Sequence, residues 1–371
     1  MSIINEGSCR IKVELPPKDV HAQMEVFYNP VMASNRNIAI LVLNSIDNEN
    51  MNIASPLAGS GIRELRFLKE LKPGKVKNIF VNDIKENFPK VIAENLKLNE
   101  ITKKMKEKLI VHNDDANLFL LNQVKHGIDD QFCGYFDYID IDPFGSPNPF
   151  LASAVARIAR EGIIAVTATD TAALTGTYPK VTKRKYWAKA VRNYMMHEIG
   201  LRILIRKVQL QGVQFDKALI PILAYHKDHY FRIYFRCVKG KEKCDEILKE
   251  HRYLLFNPKT LEFTASEFNQ AKGFEYFGPL WAGKLMDKKS ISKMKKENPF
   301  PEEQKFLNLL YQESQNDIVG FYDLHVIAKK YGVETTRLEL VLKKVKGVRT
   351  QFSGTGIKTE AGIKEVVKAM R

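Results

Sequence analysis

The sequence predicts an α/β protein, an open and mainly parallel sheet ending in an antiparallel hairpin, followed by a smaller α+β domain. Three observations carry the prediction. From Met51 to Thr167, short apolar runs alternate with amphipathic helical stretches, the rhythm of parallel strands with crossover helices. Two later runs, Ala218–Tyr225 and Tyr230–Val238, are joined by the polar turn His226-Lys227-Asp228-His229 and read as a hairpin. After Gly240 the texture changes to Lys-Glu clusters and short punctuated elements, so one domain is expected over residues 1–240 and a second over 241–371.

The first domain opens with an extension. Ser2 to Leu15 alternates loosely and reads as a small strand pair. Phe27-Tyr28-Asn29-Pro30 is an aromatic turn leading into a helix from Ser34 to Ile46. Arg36 falls in that helix's first turn, where a cation opposes the helix dipole; a nearby anion explains it better than helix stability does. The plain alternative is an exposed surface arginine.

The sheet then begins. Met51–Ser55 is a strand ending in Pro56-Leu57-Ala58-Gly59-Ser60-Gly61, with a helix beyond it that carries Ile62, Leu65, Phe67, Leu68 and Leu71 on apolar positions. A glycine turn of this kind lets backbone approach a nucleotide-like ligand. The dinucleotide pattern G-x-G-x-x-G is not met, because Glu64 holds the third glycine position. Val76–Val81 is the second strand and ends at Asn82-Asp83. An acid there, about 20 residues after the glycine turn, is placed for ribose hydroxyls; otherwise it caps the helix from Lys85 to Leu98. Leu109–Val111 is the third strand, followed by Asp114-Asp115-Ala116. An acid at this point can accept from an adenine amine while the next backbone N–H reaches a ring nitrogen. The alternative is again a cap, for Asn117 to Val124.

The fourth strand, Tyr135 to Ile139, runs into Asp140-Ile141-Asp142-Pro143-Phe144-Gly145-Ser146-Pro147. Two prolines, a glycine and a serine stop the strand, leaving a carboxylate and an aromatic at its carboxyl end, where open α/β sheets bind ligands. This triplet suits chemistry on the exocyclic amine of a nucleobase. Such an amine is a poor nucleophile because its lone pair is delocalised into the ring. Asp142 and the Pro143 carbonyl can accept its hydrogens, and Phe144 can stack on the base. A helix from Pro149 to Arg160 and a fifth strand from Ile163 to Thr167 follow. Pro179 to Lys189 then mixes Lys and Arg with Tyr186 and Trp187 and contains no acid, a composition suited to a phosphate backbone. A helix to about Leu210 leads into the hairpin, whose His226 and His229 lack a third metal ligand.

In the second domain, a hairpin is expected around Asn257-Pro258, a basic run over Lys288–Lys296 and a helix over Glu302–Gln315. Phe321–Tyr331 and Thr335–Val345 read as a helix–turn–helix pair, with Val348–Thr359 as a β wing. Lys343, Lys344, Lys346 and Arg349 cluster at the end of the second helix, as nucleic-acid contacts or as ordinary cations at a helix terminus.

With 371 residues and 44% hydrophobic content the chain is long enough for two cores, and its net charge of +15 points to a polyanionic partner. The cysteines Cys9, Cys133, Cys237 and Cys244 form no C-x-x-C pair, which reads as reduced thiols in a cytoplasmic protein without a structural metal. No apolar run approaches about 18 residues, so no membrane span is expected. A monomer is the default.

Taken together, these motifs resemble the Rossmann-like class I S-adenosylmethionine methyltransferases. The chain is more closely similar to the archaeal and eukaryotic tRNA (guanine(26)-N2)-dimethyltransferases. The match runs through Phe27-Tyr28-Asn29-Pro30, Asn35-Arg36, Gly61-Ile62-Arg63, Asn82-Asp83-Ile84, Asp142-Pro143-Phe144-Gly145, Thr167–Thr171 and Lys227-Asp228-His229-Tyr230-Phe231. The resemblance implies S-adenosyl-L-methionine as methyl donor and tRNA as substrate, with the C-terminal domain binding tRNA. It implies that Arg36 and Arg63 contact the donor's methionine carboxylate, Asp83 its ribose, and Asp115 with the Ala116 backbone its adenine. Asp142 would accept the proton, and Phe27 and Phe144 would clamp the flipped base. Two departures stand out. Ser55 occupies the end of the first strand, where the family usually has an acid that reaches the donor's amino group. The cysteine zinc cluster of some relatives is missing.

Three rival readings stand beside this one. Adenine-N6 or cytosine-N4 DNA methyltransferases carry a second proline before the aromatic, whereas here Pro143 leads directly to Phe144. A nicotinamide dehydrogenase is disfavoured by Glu64. A non-catalytic RNA-binding protein would rely on the basic stretches alone. Another tRNA guanosine as target is the nearest variant of the main reading.

Overall fold

The alternation of apolar runs and amphipathic stretches becomes one seven-stranded sheet in the structure, a computed structural model describing residues 2–13, 28–123 and 134–371. Leu15, Phe27, Val124 and Cys133 lie outside those residues. Two compact units divide the chain: Met1–Ala168 with Tyr234–Lys239 and Lys296–Glu303, and Thr169–Ile233 with Gly240–Lys295 and Gln304–Arg371.

In the first unit, β1 (Ser2–Glu6) and β2 (Cys9–Val13) pair antiparallel, from Ser2 opposite Val13 to Glu6 opposite Cys9. After α1 (Ala33–Ser45) come β3 (Met51–Ser55), α2 (Ile62–Glu70), β4 (Val76–Asn82), α3 (Phe88–Leu98), the short α4 (Lys103–Lys106), β5 (Leu109–His112), α5 (Ala116–Asn122), β6 (Phe136–Ile141), α6 (Leu151–Arg157) and β7 (Ile158–Ala168). The sheet also includes β8 (Lys217–Lys227), whose residues are counted in the second unit, and β9 (Tyr230–Lys239), divided between the units at Ile233 and Tyr234; the strand order is β5-β4-β3-β6-β7-β9-β8. The pairs from β5 to β7 are all parallel. The two residues between β8 and β9 leave room only for an antiparallel hairpin. Strands buried on both faces should be nearly continuous in apolar residues. Ile53, Ile79, Phe136 and Ile139 are accordingly 0% exposed, each worth about 1.5–3 kcal/mol of burial.

The N-terminal hairpin is fastened to this sheet's helices. Ile11 and Val13 join Ile62, Leu65, Val81, Phe88 and Ile92 in one apolar cluster. Backbone N–H groups of Arg10 and Lys12 donate to Asn99 and Asn95, at 2.7 and 2.8 Å. Asn95 in turn donates to the Ser60 carbonyl at 3.1 Å, tying the glycine turn to α3.

Several boundaries differ from the sequence reading. The helix expected to reach Arg160 stops at Arg157, and β7 starts at Ile158 instead of Ile163. The β-branched Ile158 is already extended and pairs with Phe136, whereas Tyr138 pairs with Ile163. Residues 159 to 162 therefore bulge, with Glu161 at φ 60°. The helix placed from Lys85 begins at Phe88, because Pro89 fits only the first helical turn.

The second unit holds α7 (Thr171–Leu174), α8 (Pro179–Tyr186), α9 (Met196–Val213) and α10 (Lys241–Lys249). A three-stranded antiparallel sheet follows, ordered β11 (Phe263–Ser266), β10 (His251–Phe256), β12 (Glu275–Trp281). After α11 (Lys288–Lys296) and α12 (Gln304–Glu313), β13 (Tyr322–Asp323), α13 (Leu324–Tyr331), α14 (Leu338–Lys344), β14 (Val348–Thr350), β15 (Ser353–Lys358) and α15 (Ile363–Met370) complete the chain. The strands β14 and β15 pair antiparallel at the predicted wing. Among the described residues, no helix is long and apolar enough to cross a membrane.

Candidate active site

Parallel strands bring their carboxyl ends to one edge, and the predicted residues of β3 to β6 meet there. Ser55 ends β3 and pairs in register with Val81, one residue before Asn82. Asn82 is 0% exposed and organises the edge. Its amide donates to the Pro56 carbonyl at 3.0 Å and to the Asp114 carbonyl at 2.9 Å, and its Oδ1 accepts from Asp114 N–H at 2.9 Å. One side chain thus links the ends of β3, β4 and β5. Sequence reasoning gave Asn82 no role. An amide ending a buried apolar strand was the available signal, since a buried amide must find partners.

Gly61 ends the turn after β3 at φ 74°, and a Cβ there would meet Ile92 Cδ1 at 2.3 Å. Only glycine fits. Asp83 closes the same turn: its Oδ2 accepts from Gly59 N–H at 2.8 Å and its Oδ1 from Lys85 N–H at 3.1 Å. Asp115 caps α5 through Oδ1, accepting from Asn117 and Leu118 at 2.9 and 3.1 Å. The capping alternative is therefore realised. Its Oδ2 keeps no hydrogen bond among the described residues.

Asp142 stands just beyond β6, half-buried, in a salt bridge with Arg63 of α2 through Oδ2. Arg63 also faces Asp140 at 3.4 Å and donates to Asn35 Oδ1 at 3.0 Å. Oδ1 of Asp142 has no hydrogen bond among the described residues. Two residues later, Phe144 is 63% exposed, an unusual position for a phenyl ring unless something covers it. Gly145 follows at φ 102°, turning the chain sharply after the ring. The structure therefore brings Arg63 and Asp142 into contact and leaves Phe144 mostly exposed two residues on. Phe27 lies outside the described residues.

Arg36 is buried, and the anion it needed is intramolecular. Its guanidinium pairs with Glu6 of β1, also donates to the Asn29 carbonyl at 3.1 Å, and stacks 5.3 Å from the Tyr28 ring. Arg66 joins from α2, with Nη1 3.0 Å from Glu6 and Nη2 2.8 Å from Glu70. Burial pushes the Glu6 carboxyl up, but the hydrogen bonds and charges of Arg36 and Arg66 outweigh it and hold Glu6 below the usual range. A 30-residue separation hid this pair from local pattern reading.

An S-adenosyl-L-methionine molecule fits what these residues leave open. The turn at Gly59–Gly61 presents backbone, Asp83 and Asp115 present carboxylate oxygens, and Asn35 Nδ2 is buried without a partner next to Arg63. Nη1 of Arg36 is likewise without a hydrogen bond among the described residues. Among those residues, no group of three or more His, Cys, Asp or Glu could hold a metal ion.

Comparison with known proteins bears on the chain as a whole. A profile of N2,N2-dimethylguanosine tRNA methyltransferases matches residues 7–371. The chain is 38% identical over 388 residues to the tRNA (guanine(26)-N(2)/guanine(27)-N(2))-dimethyltransferase of Aquifex aeolicus, covering 100% of this chain and 96% of that protein. It is 35% identical over 390 residues to the tRNA (guanine(26)-N(2))-dimethyltransferase of Pyrococcus furiosus, covering 99% and 98%. The solved complex of Trm1 from Pyrococcus horikoshii with S-adenosyl-L-methionine matches with TM-score 0.87 and 32% identity, covering 100% of both chains. With its parallel sheet, its terminal hairpin and a match along nearly its whole length, the chain belongs to the N2,N2-dimethylguanosine tRNA methyltransferase family.

Proposed function

We propose that the protein is a tRNA (guanine(26)-N2)-dimethyltransferase that uses S-adenosyl-L-methionine as methyl donor. The observation that carries this reading is the pairing of Asp142 with Arg63, which leaves one carboxylate oxygen open two residues before the exposed Phe144. When bound, S-adenosyl-L-methionine supplies an electrophilic methyl on a sulfonium sulfur that departs as a neutral thioether. The residues of the chain do the rest. Arg63 fixes the direction of the Asp142 carboxylate, and the open Oδ1 accepts the proton that guanine N2 loses. Phe144 covers one face of a guanine extruded from the tRNA, at a cost of about a few kcal/mol in lost stacking. Phe27 is assigned the opposite face from the resemblance. Orientation of the amine toward the methyl supplies most of the rate. The second methyl needs only rotation of the monomethylated amine in the same pocket.

For the donor, Asp83 is assigned the ribose, Asp115 Oδ2 and Ala116 N–H the adenine, and Arg36 and Arg63 the methionine carboxylate. Asn35 Nδ2 is added to that last group because it is a buried donor without a partner. The second unit is assigned the tRNA body. On α8, Lys180, Lys183, Arg184 and Lys185 are exposed, and Tyr178 and Trp187 flank them at 58% and 50% exposure. The C-terminal cations are weaker candidates than the sequence suggested. Lys344 donates to the Ala369 carbonyl at 3.0 Å, and Arg349 is paired with Glu339.

Labelled-methyl transfer tests the proposal. The expected result is transfer to unmodified tRNA with N2,N2-dimethylguanosine at position 26. Methylated DNA, or tight tRNA binding with no transfer, would contradict it.

A further inference from the structure

Ser55 stands where the family resemblance calls for an acid, and its hydroxyl is 2% exposed and completes no hydrogen bond. Across the glycine turn, Glu64 sits on the first turn of α2, 1% exposed, with Oε2 also unpartnered. A buried carboxylate oxygen without a hydrogen bond is costly, and folds seldom keep one without use. The neighbouring charges do not neutralise it. Arg63 is engaged by Asp140, Asp142 and Asn35, and Asp140 on β6 repels it. Glu64 is also the residue that breaks the glycine pattern, so its presence there is not a turn requirement.

We propose that Glu64 takes over the missing acid's work, receiving the α-ammonium group of the bound donor together with the Ser55 hydroxyl. This rests on the S-adenosyl-L-methionine reading of the site. An acid at the end of β3 and an acid on the first turn of α2 flank the same glycine turn, so moving the charge from one to the other leaves it beside the same ligand group. The Asn35 amide and Arg36 Nη1 then answer the donor's carboxylate, and Glu64 answers its ammonium. Burial pushes the Glu64 carboxyl up to about 7, with the Ser55 hydroxyl, close by but outside hydrogen-bond geometry, and the Arg63 charge pulling it back and Asp140 adding to the rise. Binding an ammonium would favour the ionised form.

The test compares two ligands by titration calorimetry on the whole protein. S-adenosyl-L-methionine carries the ammonium, and 5′-methylthioadenosine lacks it while keeping the nucleoside. For Glu64→Gln, S-adenosyl-L-methionine affinity should fall about tenfold to a hundredfold, the range for losing one charge-assisted partner. Affinity for 5′-methylthioadenosine should be unchanged. The wild type should bind S-adenosyl-L-methionine more tightly as pH rises through about 7, and the Gln variant should lose that dependence. Ser55→Asp combined with Glu64→Gln should restore affinity, which also guards against a variant that folds poorly. Equal loss of both ligands, or no loss of either, overturns the proposal. A wild type that fails to bind S-adenosyl-L-methionine overturns the parent reading instead.

Discussion

Two clusters of buried charge, one in each unit, are built on opposite plans. In the second unit, Glu198, Arg202, Lys358 and Glu313 are all at most 2% exposed and face one another. Glu198 accepts from Arg202 at 2.8 Å, Lys358 at 2.7 Å and the Gly320 N–H at 3.0 Å. Spare Arg202 protons go to the carbonyls of Trp281, Gly283 and Ile318. Two acids meet two bases. In the first unit, Arg63 faces Asp140 and Asp142 with Glu64 beside it, three acids around one base, and open atoms remain on Asn35, Ser55, Glu64 and Asp142. The second unit's cluster is balanced in charge and closed except for one buried atom, Glu198 Oε2. The open one has acceptors and a donor waiting, as a site for a zwitterionic donor and an amine substrate requires.

Substitutions can break or sharpen that contrast. The largest effect should come from Asp142→Ala, which removes the proposed proton acceptor. Methyl transfer should fall by about 10²–10⁴-fold, while tRNA affinity in a filter-binding assay stays within about twofold, since base flipping and phosphate contacts are untouched. Loss of binding with turnover retained would reverse the assignment.

Next in size is Lys358→Met in the closed cluster. Removing one partner of a buried ion pair costs about 3–5 kcal/mol, so urea unfolding should shift by that amount, with turnover per folded molecule unchanged. The pH dependence sharpens this. Burial raises Glu198, but Lys358 and Arg202 outweigh it and hold its carboxyl below the usual range. Its contribution is therefore present above the unfolded pKa of about 4.3 and is lost as pH falls below that value. Glu313 runs the other way. Burial raises it, Lys358 lowers it and Glu198 raises it again, so its contribution is lost as pH rises through its folded pKa. Without the Lys358 ammonium both acids favour their neutral forms. The deficit of Lys358→Met should be smaller at pH 4 than at pH 7, and an equal deficit at both would contradict the ion-pair account.

A smaller effect is expected from Phe144→Ala. The ring is mostly exposed, so stability should change by less than about 0.5 kcal/mol. Base stacking is worth about 1–3 kcal/mol per base, and kcat/KM for tRNA should drop correspondingly while S-adenosyl-L-methionine affinity holds. A purely structural ring would give the opposite pattern.

The legible part of this molecule is what repeats locally. The strand rhythm, the glycine turn and the strand-end acids follow from period, turn residues and parallel topology, and they placed Asp83, Asp115, Asp142 and Phe144 on one edge. What stayed hidden depends on distant partners. The Arg36–Glu6 pair spans two elements of the N-terminal extension, and Arg63 meets Asp142 across 79 positions. The start of β7 was misjudged because a bulge of residues 159 to 162 mimics a helix end. The Glu198–Lys358 pair joins residues 160 positions apart, beyond any local pattern.

The central claim is that the open oxygen of Asp142 takes a proton from guanine N2 in tRNA. Its most direct test is nucleoside analysis of position 26 after unmodified tRNA is incubated with S-adenosyl-L-methionine and either wild-type protein or Asp142→Asn. The account predicts N2,N2-dimethylguanosine with the wild type and unmodified guanosine with the variant, at equal tRNA occupancy. Dimethylguanosine formed by the variant at the wild-type rate would contradict it.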